Sequence, residues 1–218
     1  MRYQQAGAGE RPGSGRGIRR GVAAMTQLRA LCVYCGSSDG GDPQHRDWAA
    51  DLGGEAARQG VRIIFGGGRI GLMGVLAEAA LAAGGEVIGV IPEHLQAREV
   101  GHEGITRLEV VESMHSRKAR MCALADAFCV LPGGLGTLDE AFEIITWKQL
   151  RLHDKPIILL NQLDYWDPLL ALISHQVAQG YVRPEDAKLF NVVGDVAGVF
   201  EAVRRAPAPQ IPDSGRRL

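Results

Sequence analysis

The sequence predicts a doubly wound α/β fold, in which about six or seven mainly parallel strands form one sheet with helices on both faces. Short apolar segments alternate with longer segments of helical periodicity, which is the pattern of β–α–β units. The short segments are apolar almost without interruption, as parallel strands are when helices cover both faces of their sheet. Glycine-rich segments follow several of these strands, where ligands bind in such sheets. The predicted architecture is therefore Rossmann-like.

The strands are predicted where short apolar runs carry β-branched residues and are bounded by polar or glycine-rich segments. They fall at residues 29–35, 61–65, 86–91, 106–111, 127–131 and 156–160, with a short one near 191–193.

The helices are predicted between these strands, at residues 43–59, 72–83, 114–125, 138–150 and 168–179, with a last one near 196–203. Asp42 and Pro43 provide a capping carboxylate and a first-turn proline for the first helix. The helix at 138–150 has a wider apolar stripe than one sheet face requires. The helix is either fully buried or contacts another copy of the chain. The stripe comprises Leu138, Ala141, Phe142, Ile144, Ile145 and Trp147.

Composition favours a single globular domain. The chain has 218 residues, of which 46% are hydrophobic and 22% charged, enough to bury a core. The net charge of −1 provides no basic field to attract nucleic acid or an anionic membrane. No apolar stretch approaches the roughly 20 residues that span a bilayer. We expect a cytoplasmic protein with neither a nucleic-acid nor a membrane partner.

The two ends of the chain differ from the rest. Residues 1–27 are rich in glycine and arginine, which predicts a disordered leader without the apolar run of a secretory signal. Met25 is an alternative start. Residues 204–218 contain three prolines and are predicted to form a flexible tail. A single domain at residues 28–203 remains.

The cysteines and histidines do not predict a metal site. Cys32 and Cys35 lie on one predicted strand, where positions three apart point to opposite faces. The six histidines are scattered. We therefore expect buried, reduced thiols and no bound metal.

Two glycine-containing segments follow the first two predicted strands. The first, Gly36-Ser37-Ser38, allows close approach of an anion but also suits any tight turn. In the second, Gly66, Gly68 and Gly71 satisfy the dinucleotide pattern G-x-G-x-x-G. This segment follows the second strand, and no acidic residue stands where the ribose of NAD would require one. An NAD-dependent oxidoreductase is therefore a weak alternative, and we expect no nicotinamide cofactor.

A further glycine segment, residues 132–137, opens the helix after the fifth strand. Thr137 and Glu140 fit a capping box, so a purely structural role for both stays open. The segment lacks the lysine of a P-loop, which argues against nucleoside triphosphate hydrolysis. Arg117 and Lys118 lie near the first turn of the preceding helix, where cations are unfavourable unless an anion binds. These two residues therefore indicate a phosphate or carboxylate ligand, or else a solvated basic helix start.

Two motifs stand out in these segments, Pro132-Gly-Gly-x-Gly-Thr-x-x-Glu140 and Ser113-Met-His-x-Arg-Lys118. Together they resemble the paired signature of the LOG family of cytokinin riboside 5′-monophosphate phosphoribohydrolases. The resemblance runs from about residue 31 to about residue 193. Members are often labelled lysine decarboxylases, but the sequence offers no Schiff-base lysine in a pyridoxal phosphate site.

The resemblance implies hydrolysis of the N-glycosidic bond of AMP or an N6-prenylated AMP, giving the free base and ribose 5-phosphate without any cofactor. It implies catalytic roles for Arg117 and Glu140 and a homodimer or higher homo-oligomer. The implied substrate-binding residues are Ser37, Gly67, Gly68, Glu99, Lys118, Gly133, Gly134, Leu135, Gly136 and Thr137. The alternative is a non-catalytic carrier of the molybdenum-cofactor type, which would use the same glycine segments to hold a phosphorylated ligand.

Overall fold

The computed structural model describes residues 28–99, 101–207 and 210–211, and gives the backbone alone for 97–99. The predicted leader at 1–27 therefore lies outside the described residues, as does most of the predicted tail. The last helix ends at Arg205, two residues beyond the predicted end of the domain.

The strands form one parallel sheet of seven, in the order β4-β3-β2-β1-β5-β6-β7. This confirms the predicted sheet. The strands are β1 (Ala30–Tyr34), β2 (Arg62–Phe65), β3 (Val87–Pro92), β4 (Arg107–Val111), β5 (Ala127–Val130), β6 (Ile157–Leu160) and β7 (Asn191–Val193).

The helices follow the predicted positions with two exceptions: α3 was not predicted, and α5 begins three residues before its predicted start. They are α1 (Gln44–Arg58), α2 (Gly71–Ala82), α3 (Glu93–Glu99), α4 (Met114–Leu124), α5 (Leu135–Gln149), α6 (Asp167–Ala178) and α7 (Val196–Arg205). The cap of α1 is Pro43 instead of Asp42. The carboxylate of Asp42 still accepts a hydrogen bond from the Gln44 N–H at 2.9 Å.

Helices cover both faces of the sheet. Successive β1 side chains enter two different cores: Leu31 packs with residues of α1, α2 and α7, whereas Cys32 packs with residues of α4, α5 and α6. Cys35 lies in the first core, on the opposite side of the sheet from Cys32, as predicted. Burial on both faces explains the nearly continuous apolar strands, since each fully buried Leu or Ile contributes about 1.5–3 kcal/mol.

The chain reverses its winding direction between β1 and β5. After β1 it proceeds through β2 and β3 towards one edge, and after β5 it proceeds through β6 and β7 towards the other. A crevice therefore opens at the carboxyl ends of these two neighbouring strands, where ligands bind in open α/β sheets. At its base the Gly36 N–H donates to the carbonyl of Pro132 at 3.0 Å.

Candidate active site

A cleft of about 250 Å³ occupies this crevice. The segments after β1, β2 and β5 contribute to its walls, together with the first turns of α2, α4 and α5. Its lining residues are Val33, Cys35, Gly36, Ser37, Ser38, Gly66, Met73, Met114, Arg117, Gly134, Leu135, Gly136, Thr137 and Glu140.

Arg117 and Glu140 form an ion pair inside the cleft. Nη1 of Arg117 lies 3.3 Å from Oε1 of Glu140, and the two side chains are only 8% and 9% exposed. Arg117 lies on α4 and Glu140 on α5, so the tertiary fold brings together two residues that are 23 positions apart in sequence. Ionised groups are rarely desolvated without a partner, and here each of the two charges provides the partner of the other. Because this buried pair borders a cleft that a ligand can enter, it is a candidate catalytic pair.

Arg117 is fixed by one backbone carbonyl within β3 and one directly after β2. Its Nε donates to the carbonyl of Val90 at 3.0 Å, and its Nη2 donates to the carbonyl of Gly66 at 3.3 Å. The start of α4 is fixed as well, since Oγ of Ser113 accepts from the Ser116 N–H at 3.1 Å. The guanidinium is therefore positioned by backbone groups as well as by Glu140.

Thr137 does not cap α5, in contrast to the capping box that the sequence allowed for Thr137 and Glu140. The cap is Gly134, whose residue type provides no side-chain bond, and Thr137 lies within the first helical turn. The first backbone bond of α5 runs from the Leu138 N–H to the carbonyl of Gly134 at 3.0 Å. The N–H groups of residues 135–137 thus have no acceptor within the helix. These residues line the cleft, so the positive end of α5 borders it.

Thr137 also explains one glycine of this segment. Its side chain is buried, and a Cβ at residue 133 would lie 2.1 Å from its Oγ1. Gly133 therefore has to lack a side chain for the first turn of α5 to pack against the end of β5.

Lys118 lies beside the cleft and does not line it. Its Nζ lies 2.9 Å from Oδ2 of Asp139 and 3.1 Å from Oε2 of Glu143, both on α5. Partial burial lowers the pKa of Lys118, but the two hydrogen-bonded carboxylates outweigh it and raise the pKa above its ordinary value. Arg117 and Lys118, the two cations near the start of α4, are thus both paired with carboxylates of α5. Their position in the helix therefore does not by itself require an external anion.

The remaining residues implied by the resemblance are distributed unevenly. Ser37 lines the cleft, whereas Gly67 and Gly68 do not. Gly67 has a φ of +80° and packs against β3, and Gly68 forms a bridge with Gly101. Glu99 ends α3, and its side chain is outside the described part of the structure. Gly133 borders a neighbouring cavity of about 270 Å³.

Sequence reasoning assigned no role to about half of the cleft lining. Some of these residues, such as Gly36, Ser38 and Gly66, lie in glycine-containing segments that the sequence had already indicated as possible ligand-binding loops. Met73 and Met114 carry no chemical signal in the sequence. Burial raises the pKa of the Cys35 thiol well above its ordinary value, so this lining residue is not a thiolate nucleophile.

The described residues contain no group of three or more His, Cys, Asp or Glu side chains suited to holding a metal ion. Within the same ranges, every helix is too short or too polar to cross a membrane.

Comparison with known proteins places the chain in a family. Residues 73–203 match a protein family described as "Possible lysine decarboxylase". A cytokinin riboside 5′-monophosphate phosphoribohydrolase of Rhodococcoides fascians is 45% identical over 177 residues, covering 81% of this chain and 89% of the relative. The corresponding enzyme LOG of Oryza sativa subsp. japonica is 46% identical over 163 residues, covering 75% of this chain and 67% of the relative. The chain belongs to the LOG family.

The solved structures that it resembles include the molybdenum cofactor carrier protein of Chlamydomonas reinhardtii, with a TM-score of 0.65. The sequence identity is 22%, and the match covers 83% of this chain and 98% of that one. At this identity the likeness shows a shared fold. The LOG-family relatives, at about twice the identity, are named as hydrolases. The decarboxylase description finds no support in the cleft, because no lysine is among its described lining residues.

Proposed function

We propose that this LOG-family protein hydrolyses the N-glycosidic bond of a nucleoside 5′-monophosphate, AMP or an N6-prenylated AMP, to the free base and ribose 5-phosphate. The observation that carries the proposal is the buried Arg117–Glu140 pair in the same cleft as the start of α5. Glu140 follows Gly136 by four residues, about 6 Å along a helix axis. Ribose 5-phosphate can bridge this span, with its phosphate at the helix start and its anomeric carbon near the carboxylate.

The reaction requires stabilisation of positive charge at the anomeric carbon. As the C1′–N bond breaks, its electron pair leaves with the base and the sugar gains oxocarbenium character. A carboxylate beside C1′ stabilises this charge and orients the attacking water. Water gives its hydroxyl group to C1′ and its second proton to the departing base, which balances the hydrolysis. Glu140 is the carboxylate that the cleft offers for this role.

Arg117 acts by position and charge. A guanidinium offers hydrogen-bond donors and a fixed positive charge but does not readily give up a proton, so arginine is a poor general acid. Its bonds to Val90 and Gly66 fix the guanidinium, which in turn fixes Glu140. The phosphate is assigned to the N–H groups of residues 134–137, and Ser37 lines the same cleft.

A carrier of a phosphorylated ligand is the second candidate. It rests on the fold shared with the molybdenum cofactor carrier, which alone assigns no activity. The phosphate-binding elements suit either function, but a carrier has no use for a buried carboxylate beside the sugar carbon. The Arg117–Glu140 pair therefore favours the hydrolase.

The test is to incubate the protein with AMP and with N6-prenylated AMP and to separate the products by chromatography. Release of adenine or the N6-substituted base together with ribose 5-phosphate is the expected result. If neither base exceeds an enzyme-free control, the hydrolase proposal fails.

We further propose a cytoplasmic homo-oligomer, at least a homodimer. All four cysteines are buried and none of them forms a disulfide, the state that a reducing compartment maintains. On α5, Ala141 and Ile144 are buried, but Leu135 is 85% exposed and Phe142 40% exposed. A second copy would cover these apolar side chains. Light scattering after gel filtration would contradict the oligomer if it gave the mass of a single chain.

A further inference from the structure

Tyr165 contacts the glycine segment of the cleft from outside. It lies two residues before α6, in the loop that follows β6, and its hydroxyl donates to the carbonyl of Gly133 at 2.7 Å. Tyr165 borders the neighbouring cavity and does not line the cleft. No sequence motif of the predicted site lies in this loop.

The ring of Tyr165 is held in place from two sides. It meets His45 in an edge-on contact with ring centroids 5.4 Å apart, and it meets Trp166 edge-on at 4.8 Å. Asn161 closes the loop beneath it, because its Oδ1 accepts from the Trp166 N–H at 2.6 Å and its Nδ2 donates to Asp167 at 2.9 Å. The hydroxyl thus has a defined direction, although the side chain is 38% exposed.

The backbone before Tyr165 is strained. Leu163 and Asp164 have φ values of +52° and +56°, in the left-handed region that favours glycine. Each such residue costs on the order of 1 kcal/mol, and such residues persist where the surrounding structure fixes them. This strained backbone places Tyr165 in contact with Gly133, in the segment after β5.

The bond from Tyr165 also fixes the next N–H of the chain. In a trans peptide the carbonyl of residue 133 and the N–H of residue 134 point in opposite directions. Gly134 borders both the cleft and the neighbouring cavity, but Tyr165 lines only the neighbouring cavity. A carbonyl held by Tyr165 on that side therefore directs the Gly134 N–H to the opposite side, towards the cleft. A peptide between two glycines rotates easily, because neither residue has a Cβ to restrict it.

We propose that Tyr165 is a positioning residue: by holding the Gly133 carbonyl, it directs the Gly134 N–H into the cleft to bind the substrate phosphate. This rests on the proposed function, in which the N–H groups of residues 134–137 hold that phosphate. Without the Tyr165 hydroxyl the peptide samples other orientations, and each binding event has to restore the competent one.

The test is Tyr165→Phe, which keeps both ring contacts and removes only the hydroxyl. Tyr181→Phe is the matched control, since Tyr181 is 89% exposed and does not line the cleft. Titration calorimetry with ribose 5-phosphate should give a Kd about three- to tenfold higher for Tyr165→Phe, the effect of one hydrogen bond. The Kd for adenosine, which has no phosphate, should stay unchanged, as should both values for Tyr181→Phe.

An unchanged Kd for ribose 5-phosphate in Tyr165→Phe would overturn the proposal. An equal loss of affinity for adenosine would overturn it too, because a generally loosened site would weaken both ligands. The titration requires no turnover, so it decides the role of Tyr165 even if the protein hydrolyses no nucleotide. In an active enzyme the same variant should raise KM and leave kcat within about twofold.

Discussion

Gly66 and Arg117 are in a contact that only glycine permits. A Cβ at residue 66 would lie 2.0 Å from Nη2 of Arg117 and 3.1 Å from Sδ of Met73. The same guanidinium nitrogen donates to the carbonyl of Gly66. The segment after β2 therefore acts on the site by making room for a charged side chain that arrives from α4.

Gly66→Ala should displace the guanidinium of Arg117 and with it the carboxylate of Glu140. We expect kcat for nucleoside monophosphate hydrolysis to fall about 100-fold, because displacing a catalytic group by 1 Å has effects of that size. Gly194→Ala is the control, since a Cβ there would meet no atom within 4 Å. Steady-state kinetics with unchanged turnover in Gly66→Ala would show that Arg117 needs no fixed position.

Glu140→Gln should lower kcat by about 10²–10⁴-fold and change KM little, because the charge of the carboxylate matters most as positive charge develops on the sugar. The amide keeps the size of the side chain. Glu143→Gln is the matched control on the same helix, since Glu143 contacts Lys118 and does not line the cleft. Parallel thermal unfolding separates catalysis from stability: a large loss of Tm with a proportionate loss of activity would indicate a structural role for Glu140.

Lys118→Met tests whether Lys118 binds the phosphate, as the family resemblance implies, or joins α4 to α5. Its ammonium already contacts Asp139 and Glu143, so we expect KM to stay within about twofold and stability to fall by about 1 kcal/mol. A double-mutant cycle with Asp139→Asn should show coupling in the free energy of unfolding. A tenfold rise in KM would instead support phosphate binding.

His153 should make the protein less stable at mildly acidic pH. Its Nε2 lies 2.9 Å from the carbonyl of Ile144 and its Nδ1 accepts from the Lys155 N–H at 3.2 Å, so the neutral ring satisfies both partners. Burial, and then the nearby charges of Lys148 and Lys155, lower the pKa of His153 from 6.5 to about 4. The unfolded chain binds this proton more readily, so stability present above pH 6.5 is lost as the pH falls towards 4.

The loss attributable to His153 over this window is about 3 kcal/mol. Denaturant unfolding at several pH values gives the free energy of unfolding as a function of pH. The loss is the difference in the slope of this dependence between the unaltered protein and His153→Gln, in which residue 153 cannot titrate. His175→Gln, at an exposed position, should keep the original slope. If His153→Gln keeps it as well, the histidine is not the group responsible.

The elements of the fold were predictable because their signals are local. Short apolar strands that alternate with segments of helical periodicity indicated the sheet. Glycine residues after β1, β2 and β5 indicated the edge of the sheet at which a ligand binds. Where tertiary contacts decide, the prediction was wrong. The start of α5 was predicted at Leu138 from the capping pattern of Thr137 and Glu140, but the helix begins at Leu135. Both side chains are turned into the fold, where each is at least nine-tenths buried.

The sequence by itself determined the α/β class and the glycine segments, because periodicity and residue chemistry depend on the order of residues alone. Its family resemblance singled out Arg117 and Glu140. Only the tertiary structure decided that these two side chains are paired, that Lys118 is held by α5, and that Tyr165 supports the glycine segment. The physical reason is distance: each contact joins residues between 20 and 35 positions apart, through strands that become neighbours only when the sheet forms.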